Sequence, residues 1–156
     1  MQSIKMKSLN LNQNQFSDLL NLVNNVFYPL KNFVNKSECR QIILSQKFKK
    51  LFFPFPILFG ISKKNFNRIK DSKKIELFYK KKNIALIEKL NFFFINKNQF
   101  GKKIYGSKYK LNPYFKKFYK NNYIFLSFQI KNKNKKNLKD KNFVAPIKFK
   151  NTIQKK

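Results

Sequence analysis

The run LFFPFPILFGIS, residues 51–62, contains no charge, in a chain of 156 residues whose formal net charge is +30. An unpaired charge in an apolar interior costs several kcal/mol, so this run belongs inside whatever fold the chain adopts. Pro54 and Pro56 argue against a helix, because proline lacks the amide proton and its ring clashes with the preceding turn. Proline is tolerated where a strand starts, which predicts a strand beginning after Pro56. ILFGI, residues 57–61, is a continuous apolar run of strand length, the pattern of a central strand covered on both faces. The run falls short of the roughly 18 residues that a membrane-spanning helix needs.

A chain of this length holds one domain with a true core. Of its 36 basic residues 34 are lysine, set against six acids: Asp18, Glu38, Asp71, Glu76, Glu88 and Asp140. Such an imbalance points toward polyanions. Yet Lys, Asn, Phe, Ile and Tyr are abundant together, while Gly falls to 3, Arg to 2, and His and Trp to zero. These are the marks of an AT-rich genome, in which codon drift turns exposed Arg into Lys without any partner selecting for it. We favour drift as the source of the charge, the more so because lysine lacks the planar fork that reads bases. Cys39 stands alone, so neither an internal disulfide nor a cysteine metal cluster is available, and it reads as a core residue. The N-terminal MQSIKMKSLNLNQNQ lacks the apolar centre of a signal peptide, and a cytoplasmic protein is expected.

Apolar spacing predicts a helix from Phe16 through Leu19, Leu20 and Val23, capped by Ser17, with Asp18 at its positive end and its close near Val26. YPLKNFVN, 28–35, reads as a proline-led turn with Leu30 and Phe33 inward. A second helix starts at Ser37, with Cys39, Ile42 and Ile43 on one side, and a third short one at Ser62. KIELFYKKKNIALIEKL, 74–90, predicts a hairpin turning at Lys80–Asn83, and FFFI, 92–95, continues the sheet or lies across it. Residues 99–119 read as loop with a little helix, and NYIFLSFQI, 122–130, as the last strand. The order predicts an α+β domain with a small curled mixed sheet or pseudo-barrel and short N-terminal helices.

Catalytic chemistry is sparse. Without histidine the chain lacks the commonest general base and neutral metal ligand. Its acids are dispersed: Glu76 and Glu88 are placed to face each other across the hairpin, but neighbouring lysines make them surface ion-pair partners. Three glycines do not build a phosphate-cradling loop, and Gly60 reads as a bulge or a close backbone approach. The aromatic and basic mixture YKLNPYFKKFYKNNY, 109–123, suits a single-strand nucleic-acid surface. The spacing of Phe115, Phe118 and Tyr119 equally gives one apolar helix stripe, which we favour. No catalytic residue, cofactor or metal is expected.

The series LLNLVNNVFYPLKNFVNKSECRQII, LFFPFPILFGIS, IELFYKKKNIALIE and FGKKIYGSKYKLNPYFKKFYKNNYIFLSFQI resembles, in order and spacing, the N-terminal PUA-like domain of ATP sulfurylase (sulfate adenylyltransferase). The family's "FSPLxGFM" turn is matched by Phe27, Pro29, Leu30 and Phe33, with Tyr28 for its serine and Asn32 for its glycine. Its "PIPI" lead-in is matched by Pro54, Pro56 and Ile57. Tyr105, Gly106 and Pro113 fall in its "GTxDxxHPGV" stretch, with Ser107 and Asn112 replacing threonine and histidine. The family's catalytic "QxRNPxHxxH" motif has no counterpart here. The resemblance implies a PUA-like domain over 16–130, which leaves an N-terminal extension over 1–15, while the charged low-complexity KNKNKKNLKDKN marks 131–156 as a basic linker or tail. It also implies a structural or subunit role without activity of its own, and a separately encoded ATP sulfurylase catalytic domain as partner. A small basic RNA-binding module of PUA-like fold is the competing expectation, with nonspecific nucleic-acid binding following from charge. No segment has the one-sided lysine face of a membrane-surface helix.

Overall fold

The computed structural model describes residues 5–121 and 124–138, with the backbone alone at 118, 119 and 121. The chain opens on β1 (Ser8–Asn10) and α1 (Gln13–Val23). Asn12 rather than Ser17 caps α1: the Gln15 amide donates to Asn12 Oδ1 at 2.8 Å while the Asn12 amide donates to Gln15 Oε1 at 2.9 Å. This reciprocal capping box satisfies two helix-end amides, and it moves Asp18 past the first turn, away from the positive end. The helix closes at Val23, ahead of the expected Val26. α2 (Lys36–Ser45) repeats the device through Asn35 and Glu38, so Ser37 is not its cap.

β2 (Lys47–Phe48) and β3 (Leu51–Phe52) form a small antiparallel ribbon. β4 (Gly60–Ile61) leads through the Ser62 cap into α3 (Lys63–Ile69), as its sequence predicts. β5 (Lys74–Tyr79) and β6 (Lys82–Phe93) make the hairpin, whose turn is Lys80 and Lys81 alone. α4 (Lys97–Tyr105), a 3-10 turn at Tyr109–Leu111 and α5 (Pro113–Asn121) occupy the stretch expected to be mainly loop. β7 (Ile124–Lys133) closes the sheet.

The five-stranded sheet runs β1-β5-β6-β7-β4, with β1 parallel to β5 and every other pair antiparallel. Register shifts at Leu77/Phe78, Leu86/Ile87 and Glu88/Asn91 bend the long strands, and the sheet curls as an α+β half-barrel. In this register Glu88 sits opposite Lys74, and Glu76 opposite Leu86, so the two glutamates do not face each other.

Two further expectations are corrected. The uncharged run is largely buried, with Leu51 and Phe55 exposed, but not as a central strand: Leu51–Phe52 pairs in the small ribbon, and only Gly60–Ile61 joins the five-stranded sheet, at its edge beside β7. Its backbone bonds go partly elsewhere, for the Val34 amide donates to Ile57 O at 3.0 Å. Residues 8–15 are no extension, since β1 pairs with β5 and Leu9 and Leu11 are buried in the core. At the other end 131–133 belong to β7 and Leu138 is buried, while residues 139–156, including VAPIKFKN, lie outside the described residues.

Candidate functional site

The matched motif residues fall into two places. Phe27, Pro29, Leu30 and Phe33 are all buried, as are Pro54, Pro56 and Ile57. The Leu30 amide donates to Phe27 O at 2.8 Å, closing the turn, and the Val34 bond to Ile57 ties that turn to the proline-led segment. Phe33 meets Phe59 edge-on at 5.1 Å and Phe128 of β7 at 5.5 Å, and Phe59 meets Phe128 at 5.3 Å. Three rings from three distant stretches thus close a triangle, each pair adding to its burial. This hub carries no titratable side chain.

Tyr105, Gly106 and Pro113 sit apart, on the α4–α5 flank. Gly106 closes α4 at φ 83°, a conformation that glycine adopts without steric cost. Asn112 Oδ1 accepts the Tyr114 amide at 2.8 Å and so caps α5. A Cβ on Gly101 would stand 2.5 Å from Phe115 Cε2 and 2.6 Å from Tyr109 Cδ2, so glycine is what lets α4 lie against these rings. Phe115 is therefore a packing residue, as its stripe suggests, while the side chains of Phe118 and Tyr119 are outside the described residues. The Tyr105 hydroxyl is pushed above its ordinary range by burial, with Tyr114 adding to the shift.

The titratable groups do not converge. Burial pushes Asp18, half-covered on α1, up to about 7. One turn on, Asn21 is fully buried, and neither its Nδ2 nor its Oδ1 has a partner among the described residues. Burial pushes the Cys39 thiol up to about 12, so it stays protonated and unreactive at neutral pH. Lys74 is lowered by the adjacent Lys131, with Glu88 opposing. Among the described residues no group of three or more His, Cys, Asp or Glu is arranged to hold a metal. Nor is any helix among them long and apolar enough to cross a membrane.

Two of the open clefts among the described residues bear on function. One, about 470 Å³, lies beside the end of α1 and is rimmed by Asn25, Lys31, Asn32, Gln129 and Lys133, amides and ammonium groups without a carboxylate. The other, about 240 Å³, separates α2 from the β6–α4 joint; Lys36, Arg40, Ile43, Leu44, Phe94 and Ile95 line it. Neither brings a nucleophile to a base. The second cleft went unseen in the sequence, although the 36, 40, 43, 44 spacing was its available signal.

A family model described as a PUA-like domain matches residues 1–135. No curated protein gives a significant match. Among solved structures 24 chains match. One is the hexameric APS kinase from Thiobacillus denitrificans, 20% identical with a TM-score of 0.47, covering 54% of this chain and 17% of that one. This chain therefore spans less than a fifth of the length of that protein.

Proposed function

Since this chain belongs to the PUA-like domain family, we propose that it serves as the non-catalytic PUA-like domain of a sulfate adenylyltransferase, working beside a catalytic domain encoded separately. The observation that carries this is the meeting of two motifs. The FYPLKNFV turn and the PFPI segment, both matched to the sulfurylase pattern, lie apart in sequence yet join through the Val34–Ile57 bond and the Phe33–Phe59 ring pair. Support also comes from the chemistry of the site, where a hub of buried rings is suited to holding shape. A cytoplasmic setting goes with this role, because a single cysteine asks nothing of an oxidising compartment. The test is formation of ATP from adenosine phosphosulfate and pyrophosphate. The chain alone is expected to give no turnover, and addition of the separately expressed catalytic domain from the same genome should raise that domain's activity or melting temperature. Turnover by the chain alone contradicts the proposal.

The cleft beside α1 favours a second reading, an RNA-binding module, because its rim offers only donors and neutral amides to a phosphate backbone. Here binding to structured RNA must survive physiological salt and exceed binding to heparin. If it does neither, only counterion release is at work.

A further inference from the structure

The α2 helix presents two apolar sides. Cys39 and Ile42, three apart, enter the core. Lys36, Arg40, Ile43 and Leu44, at helical spacing of four, seven and eight, form a second stripe that faces the cleft opposite Phe94 and Ile95. Leu44 is 57% exposed and Phe94 63% exposed. The apolar walls therefore stand open to solvent, with a cationic rim above them.

Among the described residues that rim has no paired counter-charge. Glu38, the acid of α2, is engaged at the helix start, where its Oε1 accepts the Asn35 amide at 3.0 Å. Arg40 is exposed and makes no ion pair or hydrogen bond among the described residues. It is also one of two arginines in the chain. A guanidinium offers a rigid fork that pairs a carboxylate through two bonds, which an ammonium does not.

We propose that this cleft is a docking groove for an acidic amphipathic helix of a partner protein. The partner's apolar residues at i, i+3 or i+4 would cover Ile43, Leu44, Phe94 and Ile95, and a carboxylate on its flank would pair with Arg40. Charge selects this occupant: at +30 a second copy of the chain is repelled, whereas an acidic helix is drawn in. The walls set aliphatic Ile43, Leu44 and Ile95 beside the rings of Phe94 and Phe100, an apolar lining of the kind that helix-in-groove recognition uses. The inference stands apart from the sulfurylase reading and survives its failure.

The experiment titrates the isotopically labelled full chain, at 0.3 M salt, with a synthetic acidic helical peptide carrying leucines at i, i+3, i+4 and i+7, and with its scrambled isomer. Methyl resonances report the contact. The helix is expected to shift Ile43, Leu44 and Ile95 selectively and to bind at least tenfold tighter than the scramble. Leu44→Asp and Phe94→Ser should each abolish that preference, and Arg40→Glu should weaken it about tenfold, with the core methyls of Leu19 and Ile75 unmoved as proof of folding. Equal binding of both peptides, or shifts spread over the lysine surface, overturns the proposal. So do concentration-dependent shifts of the same methyls without peptide, which would make the occupant a second copy, and equal shifts with poly(U), which would make it RNA.

Discussion

The buried hub and the hairpin turns tell opposite stories about lysine. Around Phe33, Phe59 and Phe128 the chain keeps its uncharged run, and Phe53, Pro54, Pro56, Ile57 and Phe59 are all buried there. At the two tight turns it has lysine where glycine or asparagine would fit best. Lys49 and Lys50 have φ of 48° and 68°, and Lys80 and Lys81 of 49° and 66°. A side chain in the left-handed region costs roughly 1–2 kcal/mol per residue, and Asn-Gly is the usual solution for such two-residue turns. Part of that cost is offset where Lys49 lies 5.6 Å from the Phe48 ring and Lys80 5.4 Å from the Tyr79 ring. Lysine has spread where its penalty is local backbone strain, and stopped where the penalty is desolvation of a charge.

The contrast is broken most severely inside the hub. Phe33→Ala should cost about 3–5 kcal/mol by urea denaturation, because a buried ring touching two others leaves a cavity that the sheet cannot close. Asp18 comes next, as a position where burial meets charge. Its carboxyl holds its proton up to about 7 in the folded chain but only to about 3.9 unfolded. Between these values the folded state binds more protons, so the Asp18 contribution is fully present at low pH and is lost as pH rises from about 4 through about 7. Asp18→Asn should flatten that fall in a pH series of unfolding midpoints. Gly101→Ala should cost about 1–3 kcal/mol by forcing Phe115 and Tyr109 aside, with amide exchange rising first in α4 and α5. Smallest, and opposite in sign, Lys80→Asn with Lys81→Gly should stabilise by about 1 kcal/mol, read as a higher urea midpoint with unchanged slope.

Local chemistry was the part of the fold legible in the sequence. The hairpin, the Ser62-capped helix and the interior place of most of residues 53–61 follow from alternation, capping and absence of charge, though Phe55 stays exposed. Serine was expected at the other two helix starts, although Asn12 with Gln15 and Asn35 with Glu38 already spelled the capping box. What depended on distant partners stayed hidden. β1 is three residues long and acquires its meaning from a parallel pairing with β5, and the lysines of KNQFGKKIY obscure the helical period of α4. The buried run ends in an edge strand, and the Phe27–Val34 turn takes the Ile57 carbonyl, pairings that composition does not show. The motif positions could be quoted from the sequence, but the separation of Tyr105, Gly106 and Pro113 from the ring hub, and the second stripe of α2, required the tertiary structure.

The separation of strain from desolvation is tested most directly by urea unfolding of two variants side by side, Lys80→Asn/Lys81→Gly and Phe59→Lys. Phe59 is 1% exposed and packs against two rings. The turn variant should unfold at higher urea than the parent, while Phe59→Lys should show no cooperative native transition. A turn variant no more stable than the parent, together with a cooperatively folded Phe59→Lys, would contradict the claim that burial sets where lysine is tolerated.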